Sequence, residues 1–360
     1  MEQFSCATRI FSGAGASKAL EDMHIKRLLV VADPFFAKNG TAGRIAALAK
    51  AEETEIFADV TPDPTVELAA RGAAAVQRFS PDAIVALGGG SAMDCAKAMA
   101  YFSGLKPKLI AIPTTSGSGS EVTDFAILTH GGTKHPLVDD TLRPQVAILD
   151  GDLLNELPKS LIAAGGFDLI SHALEAIAAK NAGSVSDAMA TDAFCTAWKL
   201  LYESYRGDLS ARLPLHNAAT MAGMAFSSAG LGLCHAISHS LGGEFHISHG
   251  VLNAILLPLV LEFNASAASG CYATLARQAG ISSGSDAMAL RALKSALVRL
   301  RRSLDLPESL AKAGARPADV RKKMDSLVSA ALADPCCQTN PVRADEASVR
   351  RIITEALGYG

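Results

Sequence analysis

The chain has 360 residues, 49% hydrophobic and 19% charged, with a formal net charge of −3. Charged residues fall below the roughly 25% usual in soluble proteins and mean hydropathy is +0.23, so much of the chain is expected to be buried, in about two domains. This composition excludes disorder, collagen and coiled coil, and the lack of any Lys/Arg block argues against nucleic acid as the main partner. The densest basic cluster, RRSLD from Arg301, reads as a solvated helix face. The longest apolar run, Val251–Leu261, contains Asn253 and Pro258 and is far short of the about 20 residues a spanning helix needs, so no membrane crossing is expected. MEQFSCATRIF shows neither region of a secretion signal, and seven scattered cysteines without a CxxC pair suit a reducing cytoplasm.

In chain order, RLLVVAD (27–33), TEIFADV (54–60), DAIVALG (82–88) and KLIAIPT (108–114) are short apolar runs bounded by Gly, Pro or Asp, as buried strands are. Between them, TAGRIAALAKA (41–51), VELAARGAAAVQRF (66–79) and SAMDCAKAMAYF (91–102) are helix-like. This alternation predicts βαβ units and a parallel sheet. From Leu157 onward strand-like runs almost vanish, while LVRLRRSL and PADVRKKMDSLVSAAL are amphipathic at helical spacing. The boundary is expected near 151–157, in GDLLNELP, giving an α/β domain over 1–155 and an all-α domain over 156–360.

DAIVALGGGSAMDCAKAM reads as strand, glycine turn and helix. Gly88, Gly89 and Gly90 would let backbone approach a ligand, Ser91 would N-cap the helix, and Asp94 would complete a capping box. Free N–H groups at such a helix start favour a pyrophosphate, although the GxGxxG spacing is absent and a plain tight turn has the same composition. IPTTSGSGSEVT (112–123) packs five hydroxyls and two glycines into nine residues between the buried-strand sequences KLIAIP and FAILT. Such a loop can donate many hydrogen bonds to phosphate or ribose. Asp33 closes the first strand, where an acid accepts from ribose hydroxyls and repels a 2′-phosphate.

Nine histidines in 360 residues predict fewer than one per fifteen, yet His235, His239, His246 and His249 share one such window. Asp168 and His172 are four apart in the helical GGFDLISHALEA, as are His235 and His239 in CHAISHSLGG, so each pair shares a helix face. A lone helical histidine is usually a satisfied core residue. A carboxylate with several imidazoles is instead what a divalent metal of intermediate softness needs.

GGGSAMD, PTTSGSGSEVT, FDLISHALEA and GMAFSSAGLGLCHAISHSLGGEFHISHGVLNAILLP resemble the iron-containing (group III) alcohol dehydrogenases, over nearly the whole chain. Within that family the TPDPT, HNAATMAGMAFSSAGLGL and KHPL stretches resemble propanol dehydrogenases of propanediol-utilising bacteria. The resemblance implies an α/β nucleotide-binding domain of dehydroquinate synthase-like type, an all-α metal-binding domain, and an active site in the cleft between them. It implies Asp168, His172, His235 and His249 as metal ligands and His239 close to the metal and the nicotinamide without ligating. As an imidazole, His239 is the expected catalytic proton relay, a job the cofactor's ribose hydroxyl could also do. For NAD(H) it implies Asp33 on the adenosine ribose, Gly89, Gly90 and Ser91 on the pyrophosphate, Thr114, Thr115 and Ser118 in the second loop, and Lys134 on the ribose. Asp63 and Leu153 are weaker cofactor contacts by the same comparison. Ser240 and Ser248 stand where Pro is usual, and Ala164 and Gly165 also depart from the common pattern. Cys336 falls where many members carry a cysteine near the substrate.

The activity implied is interconversion of a short aldehyde, such as propanal, and its alcohol with NAD(H) and Fe2+, Zn2+ being the alternative metal. Phe125 and Phe226 are expected to line a small apolar pocket, and His246 to lie outside the ligand set. A zinc-dependent polyol dehydrogenase is the nearer alternative. A dehydroquinate synthase-like lyase would need Lys and Arg beside the histidines, and a non-enzymatic subunit would not need the full quartet. A cytoplasmic homodimer is expected. Residence in a bacterial microcompartment would require docking through a shell or lumen partner, because no separate targeting tail stands outside the family-like region.

Overall fold

The structure, a computed structural model, describes every residue except Met1, Gln3, Gly132, Tyr359 and Gly360, and only the backbone at Thr133. The chain forms two compact units, Cys6–Leu157, and Pro158–Gly360 with the segment before Cys6.

In the first unit the order is β1 (Arg9–Gly13), β2 (Arg27–Ala32), α1 (Pro34–Lys38), α2 (Thr41–Leu48), β3 (Glu53–Phe57), α3 (Val66–Phe79) and β4 (Ala83–Gly88). Then come α4 (Gly90–Ser103), β5 (Lys108–Pro113), β6 (Phe125–His130), β7 (Thr133–Val138) and β8 (Val146–Asp150). Six strands make one parallel sheet in the order β1-β8-β5-β4-β2-β3, and β6 and β7 form a separate antiparallel ribbon. β1, β7 and β8 were not expected from sequence: RIFSG is half exposed at a sheet edge, and TKHPLV in β7 is mixed in composition and interrupted by Pro136.

Alternation along β2 feeds both faces of the sheet. Leu28, Val30 and Ala32 pack with Ala42, Ile45 and Ala46 of α2, whereas Leu29 and Val31 pack with Leu68, Val76 and Phe79 of α3 and with α4. Burying each large side chain of α3 contributes roughly 1.5–3 kcal/mol. α3 starts where the Thr65 hydroxyl accepts from Leu68 N–H and stops where Ser80 turns left-handed at φ +48°. β2 thus leads to a helix on one face and to β3 on one side, while β4 leads to α4 on the other face and to β5 on the other side. The carboxyl ends of β2 and β4 are therefore a topological switch point, the usual seat of a nucleotide in an open α/β sheet.

The second unit is all helical among its described residues: α5 (Lys159–Ala178), α6 (Ser184–Arg206), α7 (Arg212–Ala229), α8 (Leu233–Phe245), α9 (His249–Phe263) and α10 (Ala265–Gln278). It continues through α11 (Asp286–Ser303), α12 (Pro317–Lys322), α13 (Met324–Ala333), α14 (Pro335–Thr339) and α15 (Glu346–Ala356). The segment before Cys6 belongs here because the Glu2 carboxylate accepts from both the N–H and the hydroxyl of Ser184 at the start of α6. Among the described residues one single helix, α5, is long and apolar enough to cross a membrane by length and composition, which the run at 251–261 did not bring out; 83% of its apolar window is buried inside the protein. α6, α7 and α9 pack around it. PADVRKKMDSLVSAAL is two helices rather than one, broken at Lys323. The basic cluster is not wholly solvated either: Arg301 is buried and donates to the Ala254 carbonyl, while Arg302 is exposed.

Candidate active site

At the switch point the predicted cradle residues meet. The Asp33 carboxylate ends β2 and N-caps α1, accepting from Phe35 N–H at 2.9 Å and Phe36 N–H at 3.2 Å. Its other oxygen faces Gly88 across the β2–β4 pair, 3.8 Å from where a Cβ on Gly88 would stand. Gly88 itself has φ +151°, and a Cβ there would lie 2.7 Å from that of Ala92, so this turn requires glycine. Gly89 and Gly90 face Thr115 and Ser118 of the hydroxyl-rich loop, with Cβ positions 3.2 and 3.3 Å from those side chains. Thr114 N–H donates to the Gly88 carbonyl and ties the two loops together.

The expected capping box does not form. Gly89 is the N-cap of α4, Ser91 lies in its first turn, and Asp94 is half-buried and turned to the ribbon. There it accepts from Ser120 Oγ and Ile127 N–H, and burial raises its pKa despite the nearby Lys97. Lys97, unnoticed in the sequence, donates to Ser120 Oγ and to the Thr123 and Phe125 carbonyls, so it anchors the far end of the hydroxyl-rich loop to α4. Burial pushes its ammonium down to about 8. Of the expected aromatic pair, Phe125 lies with its ring centroid 5.8 Å from Lys97 Nζ in the first unit, and Phe226 stacks on His172 in the second. Lys134 pairs with Asp63 at 2.6 Å, so these two predicted contacts already hold each other. Leu153 is half-buried against the apolar layer that includes α2.

In the helical unit α5, α8 and α9 bring four predicted ligands together. Asp168, His172 and His235 place donor atoms within 4.8 Å of one another, all three residues buried. The Asp168 Oδ1 atom lies 4.0 Å from His172 Nε2, 3.9 Å from His235 Nε2 and 3.7 Å from His249 Nε2. Donors held about 2.1 Å from a tetrahedral metal are about 3.4 Å apart, a spacing that each of these three distances from Asp168 exceeds by roughly half an ångström or less. Phe226 stacks on His172 at 4.3 Å between centroids, and His172 stacks on His235 at 4.5 Å. His239 stacks on His249 at 5.1 Å and is held by Asp334, whose Oδ2 lies 2.8 Å from Nδ1. The carboxylate of Asp334 also accepts from Cys336 N–H, and burial holds the Cys336 thiol well above its ordinary pKa. His246 is exposed, as expected; it ends α8 in a left-handed turn at φ +53°.

Four polar residues around this quartet escaped sequence reasoning. Asn253 Nδ2 donates to Asp168 Oδ1 at 2.9 Å, and its Oδ1 accepts from Ser238 Oγ. Glu175 lies 2.5 Å from His235 Nδ1 and accepts from Cys234 N–H. Burial lifts Glu175 to about 7, opposed by the backbone N–H groups of Cys234, His235 and Gly232. Asn340 accepts from Leu233 N–H, and Asp334 orients His239. A signal existed for Asn253, the single polar residue among the first seven positions of VLNAILLPLVL, and for Glu175, one turn beyond His172 on the same helix. Ser248 N-caps α9 and Ser240 bonds back to the Ile237 carbonyl, so neither serine disturbs a ligand.

One carboxylate and three imidazole nitrogens, converging from three helices beside an aromatic wall, form a donor set that fits a divalent first-row metal. The chain matches the family model for iron-containing alcohol dehydrogenase over residues 7–151 and that for the C-terminal part of the Fe-containing alcohol dehydrogenase family over 162–357. It is 38% identical to 1-propanol dehydrogenase PduQ of Citrobacter freundii, over 99% of this chain and all of that protein. It is 33% identical to an NADPH-dependent butanol dehydrogenase of Clostridium saccharobutylicum, over all of this chain and 99% of that one. The crystal structure of sulfoacetaldehyde reductase from Bifidobacterium kashiwanohense in complex with NAD+ superposes with a TM-score of 0.89 at 25% identity, covering both chains fully. The chain belongs to the iron-containing alcohol dehydrogenase family, oxidoreductases that interconvert alcohols and aldehydes with NAD(H) and iron.

Proposed function

We propose that this chain interconverts propanal, or an aldehyde of similar length, with its primary alcohol, using NAD(H) and Fe2+ held by Asp168, His172, His235 and His249. The carrying observation is the approach of three imidazole Nε2 atoms to one Asp168 oxygen. Metal analysis of anaerobically purified protein, coupled to NADH oxidation with propanal, tests it; zinc as the sole activating metal would replace iron in the assignment.

A bound divalent metal supplies Lewis-acid stabilisation of the oxygen on which charge develops. The protein does the rest. Asn253 orients the Asp168 carboxylate, Glu175 fixes His235, and Phe226 gives the site an apolar wall. Asp334 holds His239 by Nδ1, which leaves Nε2 to carry the proton to or from the substrate oxygen. Asp33, Gly89, Gly90, Ser91, Thr114, Thr115 and Ser118 are the proposed dinucleotide cradle, with Asp63, Lys134 and Leu153 as outlying contacts.

Short neutral aldehydes are expected to be preferred over sugars and hydroxy acids, because Phe226 offers an apolar wall and the histidine-bearing stretches 167–178 and 233–249 carry no Lys or Arg. A panel of aldehydes compared by kcat/KM checks this, and a clear preference for an anionic substrate would sink it.

NADH is expected to be preferred over NADPH by at least about tenfold, or about 1.4 kcal/mol. The C. saccharobutylicum relative is NADPH-dependent, so family membership alone does not set this choice. Two unit charges 4 Å apart repel by roughly 4 kcal/mol at an effective dielectric of 20, and solvent screening at half-buried Asp33 reduces that. Arg27 is no counterweight: it stands at the opposite end of β2, paired with Glu53. Asp33→Gly should relax the preference mainly through the Michaelis constant for NADPH, while glycine in place of the α1 cap costs only about 0.3 kcal/mol of stability. Equal use of both nucleotides by the wild type would remove Asp33 from the ribose.

A homodimer is the proposed assembly, supported by β1, which stands at the edge of the sheet with one side unpaired by any described strand. Residence in a bacterial microcompartment is proposed from the similarity to PduQ alone, and co-purification with shells tests it.

A further inference from the structure

α8 carries His235 in its first turn, yet its N-cap is Gly232, which has no side chain to satisfy the free N–H groups there. Two distant residues do so instead. Glu175 of α5 accepts from Cys234 N–H at 2.7 Å and His235 N–H at 3.3 Å, and Asn340 accepts from Leu233 N–H at 3.0 Å. They come so close that a Cβ on Gly232 would stand 2.7 Å from Glu175 Oε1 and 2.8 Å from Asn340 Oδ1. Both residues are buried, and the second Glu175 oxygen reaches His235 Nδ1.

The partners of the two His235 ring nitrogens agree on where its proton sits. Nδ1 faces a carboxylate already turned to accept from backbone N–H groups. Nε2 faces the Asn253 amide nitrogen at 3.4 Å. That amide cannot flip without loss, because its oxygen accepts from Ser238 Oγ at 2.6 Å and its nitrogen donates to Asp168 at 2.9 Å. A donor therefore meets Nε2 and an acceptor meets Nδ1, so the imidazole carries its hydrogen on Nδ1 and leaves the Nε2 lone pair directed at Asp168.

We infer that Glu175 is a positioning residue for the metal: it selects the His235 tautomer that can ligate and clamps the helix turn that carries it. This rests on His235 being a ligand, as proposed above. Glu175→Gln separates the two tasks. An amide can present its NH2 to Nδ1 and the His235 N–H, which drives the ring hydrogen onto Nε2, or turn that NH2 toward the Cys234 N–H, where donor faces donor. In neither orientation does it serve both.

The test uses the full chain stripped of metal and titrated anaerobically with ferrous iron against a competing chelator. Glu175→Gln should weaken iron binding by about 10- to 100-fold, the range for residues that orient a ligating histidine. Long-range 1H–15N spectra of the metal-free protein, with the His235 ring assigned by its loss in His235→Ala, should show Nδ1–H in the wild type and Nε2–H in Glu175→Gln. A merely structural cap would not move that signal. Iron affinity within about threefold of wild type, with Nε2 still unprotonated in the variant, would overturn the inference. If the variant does not fold, the wild-type spectrum decides, because hydrogen on Nε2 there refutes the tautomer argument. His235→Ala that still binds iron at full affinity would refute the ligand assignment itself, a different outcome from a silent Glu175→Gln.

Discussion

His235→Ala and His249→Ala are each expected to abolish turnover and to lose the metal. Stabilising charge on the substrate oxygen by a bound cation is worth several kcal/mol, and about 4 kcal/mol corresponds to a fall of roughly a thousandfold in rate. The two variants differ in what else they disturb. His235 is buried, and its removal leaves a cavity beside Glu175, so some loss of stability accompanies the loss of activity. His249 begins α9 with its side chain 26% exposed, so its truncation should leave unfolding nearly unchanged. His249→Ala is thus the cleaner test of ligation. Iron content and kcat with propanal are the measurements. Retention of more than about a tenth of wild-type activity in both variants, a loss of under about 1.4 kcal/mol, is incompatible with the quartet.

Gly250→Ala is expected to damage the same site without touching a ligand. A Cβ at Gly250 would fall 1.9 Å from the carbonyl oxygen of Ala164, a backbone atom of α5 that has no rotamer into which to retreat. Relief requires α5 and α9 to separate by more than an ångström where His249, the preceding residue, faces Asp168, one turn beyond Ala164. Overpacking of this kind costs about 1–3 kcal/mol or more. A misplacement of about 1 Å in a ligand set can cost about a hundredfold in rate. A lowered urea midpoint for the helical unit together with weaker iron binding is the expected pair of results. Wild-type values for both would mean that the two helices do not approach so closely.

The parallel sheet was legible because β2, β4 and β5 are short, apolar beyond their first residues and punctuated by Gly, Pro or Asp, and α3 matches its expected limits at both ends. β1 and β7 were not, because edge and ribbon strands carry half-exposed, mixed composition. Asp168, His172, His235 and His249 stood out as a density of one residue type at helical spacing, and the fold brings them together. The residues that hold them did not stand out. Glu175, Asp334 and Asn340 act through contacts spanning between about sixty and over a hundred residues, which no local pattern encodes. Asp94 shows the opposite error: its spacing from Ser91 suited a local cap, but burial against Ser120 and Ile127 won. Arg301 failed likewise, since charge density in sequence does not say which arginine turns inward.

The distant caps on α8 also set an order of assembly during synthesis. The first unit is contiguous, so its sheet can close once Leu157 has left the ribosome. The four proposed ligands have all been made by residue 249, yet Asn340, which accepts from the first N–H of α8, and Asp334, which holds His239, are made only later. The growing chain therefore carries the proposed donors through about ninety residues of elongation before the last of these contacts can form, and expression under slow elongation with zinc in excess is the condition expected to load the wrong metal.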